Sequence, residues 1–135
     1  MLDPIADMLS RIRSAQMAGK SEVFFRASKI KMAVSNILEQ EGFIEAASQE
    51  KNNDNKETIR VVLKYNKVSN TEKMPAIREI KRISREGNRV YIKKQDIRKI
   101  KNDFGIAIIS TSRGVMTGEG AKKNGLGGEY ICEVW

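Results

Sequence analysis

The hydrophobic residues near the start of the chain recur with the spacing of a helix. From Ile5 to Ile12 they stand at i, i+3, i+4 and i+7, which puts them on one face of a helix. Asp3 can cap this helix, Pro4 suits its first turn, and Gly19 can end it. These signals predict an amphipathic first helix.

A second helix is predicted by a similar pattern. Ser28 can cap it, the apolar residues from Ile30 to Leu38 form one face, and Gly42 ends it. Residues 23–25, which lie between the two helices, have the aromatic and β-branched composition of a short strand.

Two more strands are predicted in the first half of the chain. One begins at Phe43, and the other covers residues 58–65, where polar and apolar side chains alternate. The polar, asparagine-rich segment 49–57 between them is predicted to be a hairpin loop. The first half therefore has the predicted order α-β-α-β-β.

The second half of the chain has a less regular pattern. The isoleucines of residues 77–84 are spaced by three, which fits neither a helix nor a strand well. Segments 89–93, 106–109 and 129–135 are predicted strands. In segment 129–135, the alternation of side chains predicts that Tyr130, Cys132 and Val134 lie on one face of the strand.

Two short helices are predicted among these strands. Asp96 can cap one helix, with Ile97, Ile100 and Phe104 on one side. The other covers residues 117–124 and is capped by Thr117. Its Gly118 and Gly120 weaken it by about 1 kcal/mol each relative to alanine.

These elements predict an α+β fold made of two small lobes. Residues 1–66 form the N-terminal α-β-α-β-β lobe, and residues 67–76 form a polar linker. Residues 77–135 form a C-terminal lobe that is mainly β with short helices.

The charge of the chain favours a polyanion as its partner. The formal net charge is +8 over 135 residues, and residues 72–101 alone carry 11 basic against 4 acidic side chains. A basic region of this kind is typical of nucleic-acid binding, although a solvated surface rich in lysine is the ordinary alternative. A membrane surface is disfavoured, because no basic amphipathic helix with aromatic anchors is present.

Composition also excludes several classes of protein. The chain has no histidine and one cysteine, which excludes histidine-based triads, histidine-ligated or cysteine-ligated structural zinc and an intrachain disulfide. No apolar run has the length of a membrane span, and the N-terminus lacks the pattern of a signal peptide. We therefore expect a binding protein without metal or cofactor, and not an enzyme.

Several polar segments of the C-terminal lobe are candidate binding elements. The hydroxyls of residues 110–112 can bond to phosphate, ribose or base groups, or else to their own turn. Tyr91 lies among basic residues and can stack on a base, or be half-buried in its strand. The glycines of residues 125–128 can form an anion nest or only a turn. Glu129 can accept from a base or brace a basic side chain, and Cys132 is expected to be a small core residue.

Four segments of the chain resemble one known family. Residues 110–117 (Ser-Thr-Ser-Arg-Gly-Val-Met-Thr) and 125–129 (Gly-Leu-Gly-Gly-Glu) closely resemble the signature of the bacterial small-subunit ribosomal protein S-eight family. Residues 3–13 and 41–45 resemble the N-terminus of that family and the segment after its second helix. The resemblance covers nearly the whole chain, in order.

The resemblance implies a function and partners. It implies primary binding of the central domain of small-subunit (16S) ribosomal RNA during assembly, in the ribosome of the cytoplasm. Neighbouring small-subunit ribosomal proteins would be further partners, and many family members repress their own operon by binding its messenger RNA. It also implies that the ambiguous segment 77–84 is a strand. We expect a monomer off the ribosome, since no oligomer seam is evident.

The resemblance also implies the residues that contact RNA. In the C-terminal lobe these are Ser110, Thr111, Ser112, Arg113, Gly127, Gly128, Glu129, Tyr91 and Lys93. In the N-terminal lobe, the positions that match contacts to a second RNA segment are Pro4, Arg13, Lys29 and Lys31. Residues 118–120 depart from the family pattern, which suggests a frayed helix there.

Two other functions stay open on the residues alone. A free-standing regulator of messenger or other RNA would use the same site, so the sequence cannot separate it from a ribosomal protein. A phosphate-handling enzyme would use the hydroxyl loop and glycine turn as a cradle. It would also need a base, a set of metal ligands or a Walker-type lysine loop, and the sequence has none of these.

Overall fold

The computed structural model describes residues 4–98 and 105–135. The chain divides into two compact units. One unit spans Asp7–Arg78, and the other comprises residues 79–98 and 105–135 together with residues 4–6. The mixture of helices and antiparallel sheets confirms the predicted α+β class.

The first unit contains most of one helix, a second helix and five strands. Its elements are α1 (Pro4–Met17), β1 (Glu22–Arg26), α2 (Lys29–Gln40), β2 (Ile44–Lys51), β3 (Glu57–Leu63), β4 (Tyr65–Lys67) and β5 (Lys73–Pro75). Strands β1, β3 and β2 form one antiparallel sheet in that order, and α2 packs against β2. Ile59, Val61 and Leu63 alternate with partly exposed residues, so one face of the sheet is buried in the core.

The predicted elements of this unit are confirmed, with differences at their ends. Strand β2 continues to Lys51 and β3 begins at Glu57, so the hairpin loop is shorter than the predicted segment 49–57. The Asn52 carboxamide oxygen accepts from the backbone N–H groups of Asp54 and Lys56 at 2.9 and 3.0 Å, which closes the loop within five residues. The segment 67–76 contributes to a short hairpin, in which β4 pairs with β5.

The second unit is built around its last strand. Its elements are β6 (Ile80–Arg82), β7 (Tyr91–Ile92), a 3₁₀ turn (Lys94–Asp96), β8 (Ile106–Thr111), β9 (Gly114–Thr117), α3 (Gly118–Lys123) and β10 (Gly128–Val134). Strand β10 pairs with β8 on one edge, and with β7 and then β6 along the other. Strand β8 also pairs with β9. Strand β6 confirms the strand implied for segment 77–84, at a shorter length.

The helix predicted to follow Asp96 does not begin there. Lys94–Asp96 form a single 3₁₀ turn, and Ile97 has extended backbone angles (φ −71°, ψ 125°). Ile97 is instead buried against Ile109 and Ala121, so its contact with the sheet overrides the capping signal. Ile100 and Phe104, as well as the predicted cap Asp3, lie outside the described residues.

The short helix α3 forms as predicted, despite its two glycines. The Thr117 hydroxyl accepts from the Gly120 N–H at 3.1 Å and caps it. Gly118 is needed for packing, since a Cβ there would lie 3.1 Å from the Ala107 side chain. Helix α3 is therefore held by contact with β8 and not by helix propensity.

The strict alternation predicted for the last strand is wrong at one point. The register of β10 against β8 shifts between Tyr130 and Cys132, so Ile131 is an extra residue in the strand. Ile131 and Cys132 are consequently both buried. Burial raises the pKa of the Cys132 thiol to about 12, which agrees with its predicted place in the core. Among residues 4–98 and 105–135, no helix has the length and apolar character to cross a membrane.

Candidate nucleic-acid interface

Polar side chains from three adjacent strands form a row on one face of the second unit's sheet. Tyr91 of β7 lies opposite Glu129 of β10, and Glu129 lies opposite Ser110 of β8. Residues directly opposite in antiparallel strands project to the same face. We call Tyr91, Glu129 and Ser110 the polar row.

The other face of the same strands is apolar. Ile109 and Met116 are opposite one another on β8 and β9, and both pack in the cluster that contains Ala121 of α3. Because successive side chains of a strand alternate between faces, Ser110 projects away from α3. The polar row is therefore carried by a sheet whose opposite face is fixed by its core.

Two glycines allow the backbones of the three strands to meet beneath the row. A Cβ on Gly128 would overlap the carbonyl oxygen of Ser110 and lie 2.9 Å from its carbon. A Cβ on Gly127 would lie 2.5 Å from the carbonyl oxygen of Ile92. The glycine segment is thus required by close packing, and it brings residues 110–111 and 92–94 to either side of the start of β10.

The predicted hydroxyl loop is a tight hairpin turn. Thr111 pairs with Gly114, and the two residues between them, Ser112 and Arg113, form the turn. The Thr111 hydroxyl accepts from the Arg113 N–H at 3.1 Å and donates to the Gly114 carbonyl oxygen at 2.7 Å. For Thr111, the structure therefore supports the interpretation that its hydroxyl stabilises its own turn.

The two serines of this hairpin differ from Thr111. In residues 4–98 and 105–135, no side chain or backbone group forms a hydrogen bond with the hydroxyl of Ser110 or Ser112. Ser112 is exposed at the tip of the hairpin, and Ser110 is partly exposed in the polar row. Both hydroxyls can therefore donate to and accept from a ligand.

Glu129 is held in place by two side chains. Its Oε2 accepts from the Ser84 hydroxyl at 2.6 Å and from the Arg89 guanidinium at 3.0 Å. The Ser84 hydroxyl also accepts from the Val90 N–H at 3.1 Å. Of the two sequence-based interpretations for Glu129, the bracing of a basic side chain is the one observed.

The polar row has an exposed aromatic ring, and exposed cationic side chains lie near it. Tyr91 is 71% exposed, so it is not the half-buried strand residue that the sequence allowed. Lys93 lies two residues after Tyr91, and Arg113 lies at the hairpin tip; both are exposed. All nine residues predicted in the C-terminal lobe thus lie on strands β7, β8 and β10 or on the turns beside them.

The four site residues predicted in the N-terminal lobe do not lie on neighbouring strands of one sheet. Pro4 belongs to the second unit, whereas Arg13 and Lys29 are exposed residues of the first. Lys31 is only 7% exposed, and its ammonium donates to the Arg26 carbonyl at 3.0 Å and lies 5.9 Å from the centre of the Phe25 ring. A cation in the first turn of a helix is unfavourable, because that end of the helix dipole is positive. The carbonyl and the ring offset this cost for Lys31, so no bound anion is needed to explain its position.

Ser84 and Arg89 were not predicted as site residues. The sequence places them at the two sides of a turn, and neither hydrophobic periodicity nor a motif marks them. Their contact with Glu129 spans 45 and 40 residues along the chain. The pairing of β6 and β7 with β10 brings them together.

Comparison with known proteins assigns the chain to a family. The family model described as Ribosomal protein S8 matches residues 3–135. Small ribosomal subunit protein uS8 of Geotalea uraniireducens (strain Rf4) is 47% identical over 136 residues, which cover 100% of this chain and 98% of the relative. The protein of the same name from Tolumonas auensis is 46% identical over 134 residues, with 99% and 98% covered. The chain belongs to the ribosomal protein S8 family.

Proposed function

We propose that the chain is a structural constituent of the small ribosomal subunit that binds the central domain of 16S ribosomal RNA. Its relatives are named as small ribosomal subunit proteins, so ribosomal RNA and neighbouring ribosomal proteins are its partners and the ribosome is its location. Its role is binding and not catalysis.

One observation supports the RNA-binding face above the others. The hydroxyls of Ser110 and Ser112 have no partner in the described part of the chain, and Ser110 lies on the same face of the sheet as the exposed ring of Tyr91, with Glu129 between them. Unpaired short polar groups next to an exposed aromatic side chain suit an RNA with unstacked bases and a shallow groove. Thr111, Gly127 and Gly128 support this face from beneath.

Basic residues supply the part of the affinity that does not depend on sequence. Lys93 and Arg113 are exposed next to the polar row, so we propose that they contact phosphates. Arg13 and Lys29 are proposed as contacts to a second RNA segment, and Pro4 as a contact of the other unit. Lys31 is not included, since its ammonium is already bonded to the Arg26 carbonyl.

The proposal is tested by binding to two RNA stems across a salt series. The native central-domain stem and a scrambled stem of equal length are compared by filter binding. We expect tight binding to the native stem that persists as salt rises, and weak, salt-sensitive binding to the scrambled stem. Equal and steeply salt-dependent binding to both stems would leave only a basic surface.

We also propose that the same face represses translation of the chain's own operon messenger RNA. A messenger stem that resembles the ribosomal RNA stem would bind the same polar row, so the two RNAs should compete for one site. Competition is measured by adding unlabelled operon RNA to the labelled ribosomal stem. Simultaneous binding of both RNAs would contradict a shared site. Sedimentation of the free protein checks the expectation that it is a monomer.

A further inference from the structure

We propose that Ser84 and Arg89 are positioning residues that orient Glu129 for RNA recognition; this inference rests on the proposed function. Neither residue belongs to the polar row itself. Both bond to the same carboxylate oxygen of Glu129, from a turn that lies beside the row. Their role would therefore be to fix how Glu129 presents its other oxygen.

The position of Ser84 leaves its hydroxyl little freedom. The residue is 0% exposed, its Oγ donates to Glu129 Oε2 at 2.6 Å, and its Oγ accepts from the Val90 N–H at 3.1 Å. The backbone is fixed as well, because the Ser84 N–H donates to the Tyr130 carbonyl and the Tyr130 N–H donates to the Val90 carbonyl. The hydroxyl thus joins the turn and β10 at the place where Glu129 projects.

The arrangement leaves the second carboxylate oxygen available. Ser84 and Arg89 both use Oε2, and no residue in the described ranges 4–98 and 105–135 bonds to Oε1. Glu129 lies between Ser110 and Tyr91, so Oε1 is an acceptor within the polar row. A carboxylate accepts and does not donate, so in this orientation it favours an amino, imino or ribose hydroxyl donor.

Arg89 also neutralises the negative charge of Glu129. A carboxylate on a face that meets RNA repels the phosphates, yet Glu129 occupies the centre of the row. The Arg89 guanidinium lies 3.0 Å from Glu129 Oε2 and balances its charge at that point. Glu129 can then act as a local acceptor without making the face locally acidic.

Double-mutant cycles test whether both residues act through Glu129. We expect Ser84→Ala and Arg89→Ala each to weaken binding of the native stem by roughly tenfold, which corresponds to one hydrogen bond to a charged group, and to leave the scrambled stem nearly unchanged. In a Glu129→Ala background, neither substitution should weaken native-stem binding further, because the group that they orient is gone.

A matched serine separates positioning from stability. Ser35 is also 0% exposed, and its hydroxyl donates to the Lys31 carbonyl at 2.8 Å in the first unit. We expect Ser35→Ala to lower the thermal midpoint about as much as Ser84→Ala does, with no change in the ratio of native to scrambled binding. Arg89 is 47% exposed, so its variant tests the inference even where Ser84→Ala folds poorly.

The outcomes distinguish this inference from the proposed function. Additive losses in the double variants, or a loss for Arg89→Ala that is equal on both stems, would overturn the positioning role while RNA recognition stands. If the unaltered protein binds both stems equally, the proposed function fails, and the positioning role fails with it. Coupled losses on the native stem alone would support both.

Discussion

Two hairpins of this protein have polar residues at their tips and use them differently. In the β2–β3 hairpin, the Asn52 carboxamide oxygen bonds to two backbone N–H groups of its own loop. In the β8–β9 hairpin, the Thr111 hydroxyl also bonds to its own turn, accepting from the Arg113 N–H and donating to the Gly114 carbonyl. The hydroxyls of Ser110 and Ser112 have no hydrogen bond within the described residues. Polar side chains that bond to their own turn are accounted for by folding, whereas unpaired ones beside an ordered sheet point to a ligand.

The charged residues near the two hairpins differ as well. The β2–β3 hairpin places Lys51 opposite Glu57, and the Glu57 carboxylate accepts a hydrogen bond from the Gln49 side chain at 3.1 Å. The β8–β9 hairpin adjoins Glu129, whose carboxylate is braced at one oxygen and open at the other. The second hairpin therefore combines a fixed backbone with unsatisfied polar groups.

The largest effect is expected from Gly128→Ala, which disturbs the close contact between β10 and β8 beneath the polar row. The new Cβ would overlap the Ser110 carbonyl, so strands β8 and β10 would have to separate. We expect a loss of about 3 kcal/mol in the free energy of unfolding, together with loss of native-stem binding. Chemical denaturation and filter binding measure the two.

Gly87→Ala is the matched control for that prediction. Nothing lies within 4 Å of a Cβ at Gly87, and no positive φ is found there, so stability should change by less than about 0.5 kcal/mol. Equal effects of the two substitutions would contradict the account of Gly128 as a residue required by close packing.

The next largest effect concerns the aromatic side chain of the polar row. Tyr91→Ala removes a ring that is 71% exposed, so folding should change little. We expect binding of the native stem to weaken by about 1–3 kcal/mol, the usual size of a base–aromatic stack. Tyr91→Phe should keep most of the affinity. A large loss with Tyr91→Phe would instead assign the contribution to the phenolic hydroxyl.

The fold was more predictable than the site, for a physical reason. Local periodicity and capping residues mark helices α1 and α2 and strands β1, β2 and β3, and these elements were predicted nearly to their ends. The β4–β5 hairpin was not predicted, because its segment carries no such pattern. The β10 bulge at Ile131 and the extended Ile97 depend on contacts with distant strands, and local pattern misassigned both.

The site was predictable only as a group of segments. Residue types and the family resemblance brought together residues 110–113, residues 127–129 and Tyr91. They could not show that Thr111 bonds to its own turn, that Lys31 is buried, or that Ser84 and Arg89 bond to Glu129. Each of those facts depends on where a side chain ends after packing, which spacing along the chain does not encode.

One single substitution in each hairpin tests whether its polar side chain contributes to binding or to stability. Ser112→Ala removes an unpaired hydroxyl, so we expect native-stem binding to weaken by about 1–3 kcal/mol with stability unchanged. Asn52→Ala removes two hydrogen bonds of a loop, so we expect a loss of about 1 kcal/mol in stability with RNA binding unchanged. The same loss on the native and scrambled stems for Ser112→Ala would remove it from the specific site.

The smallest and least specific effect is expected at Lys94, an exposed residue next to the polar row. A lysine that meets a phosphate contributes by releasing counterions, and this contribution does not depend on base sequence. Lys94→Ala should therefore weaken the native and scrambled stems together and reduce the slope of log affinity against log salt by about 1. Lys51, opposite Glu57 in the first unit, is the matched control, and its alanine variant should leave the slope unchanged. A loss for Lys94→Ala confined to the native stem would contradict this. Lys94 would then belong to the surface that recognises the native RNA, together with the polar row.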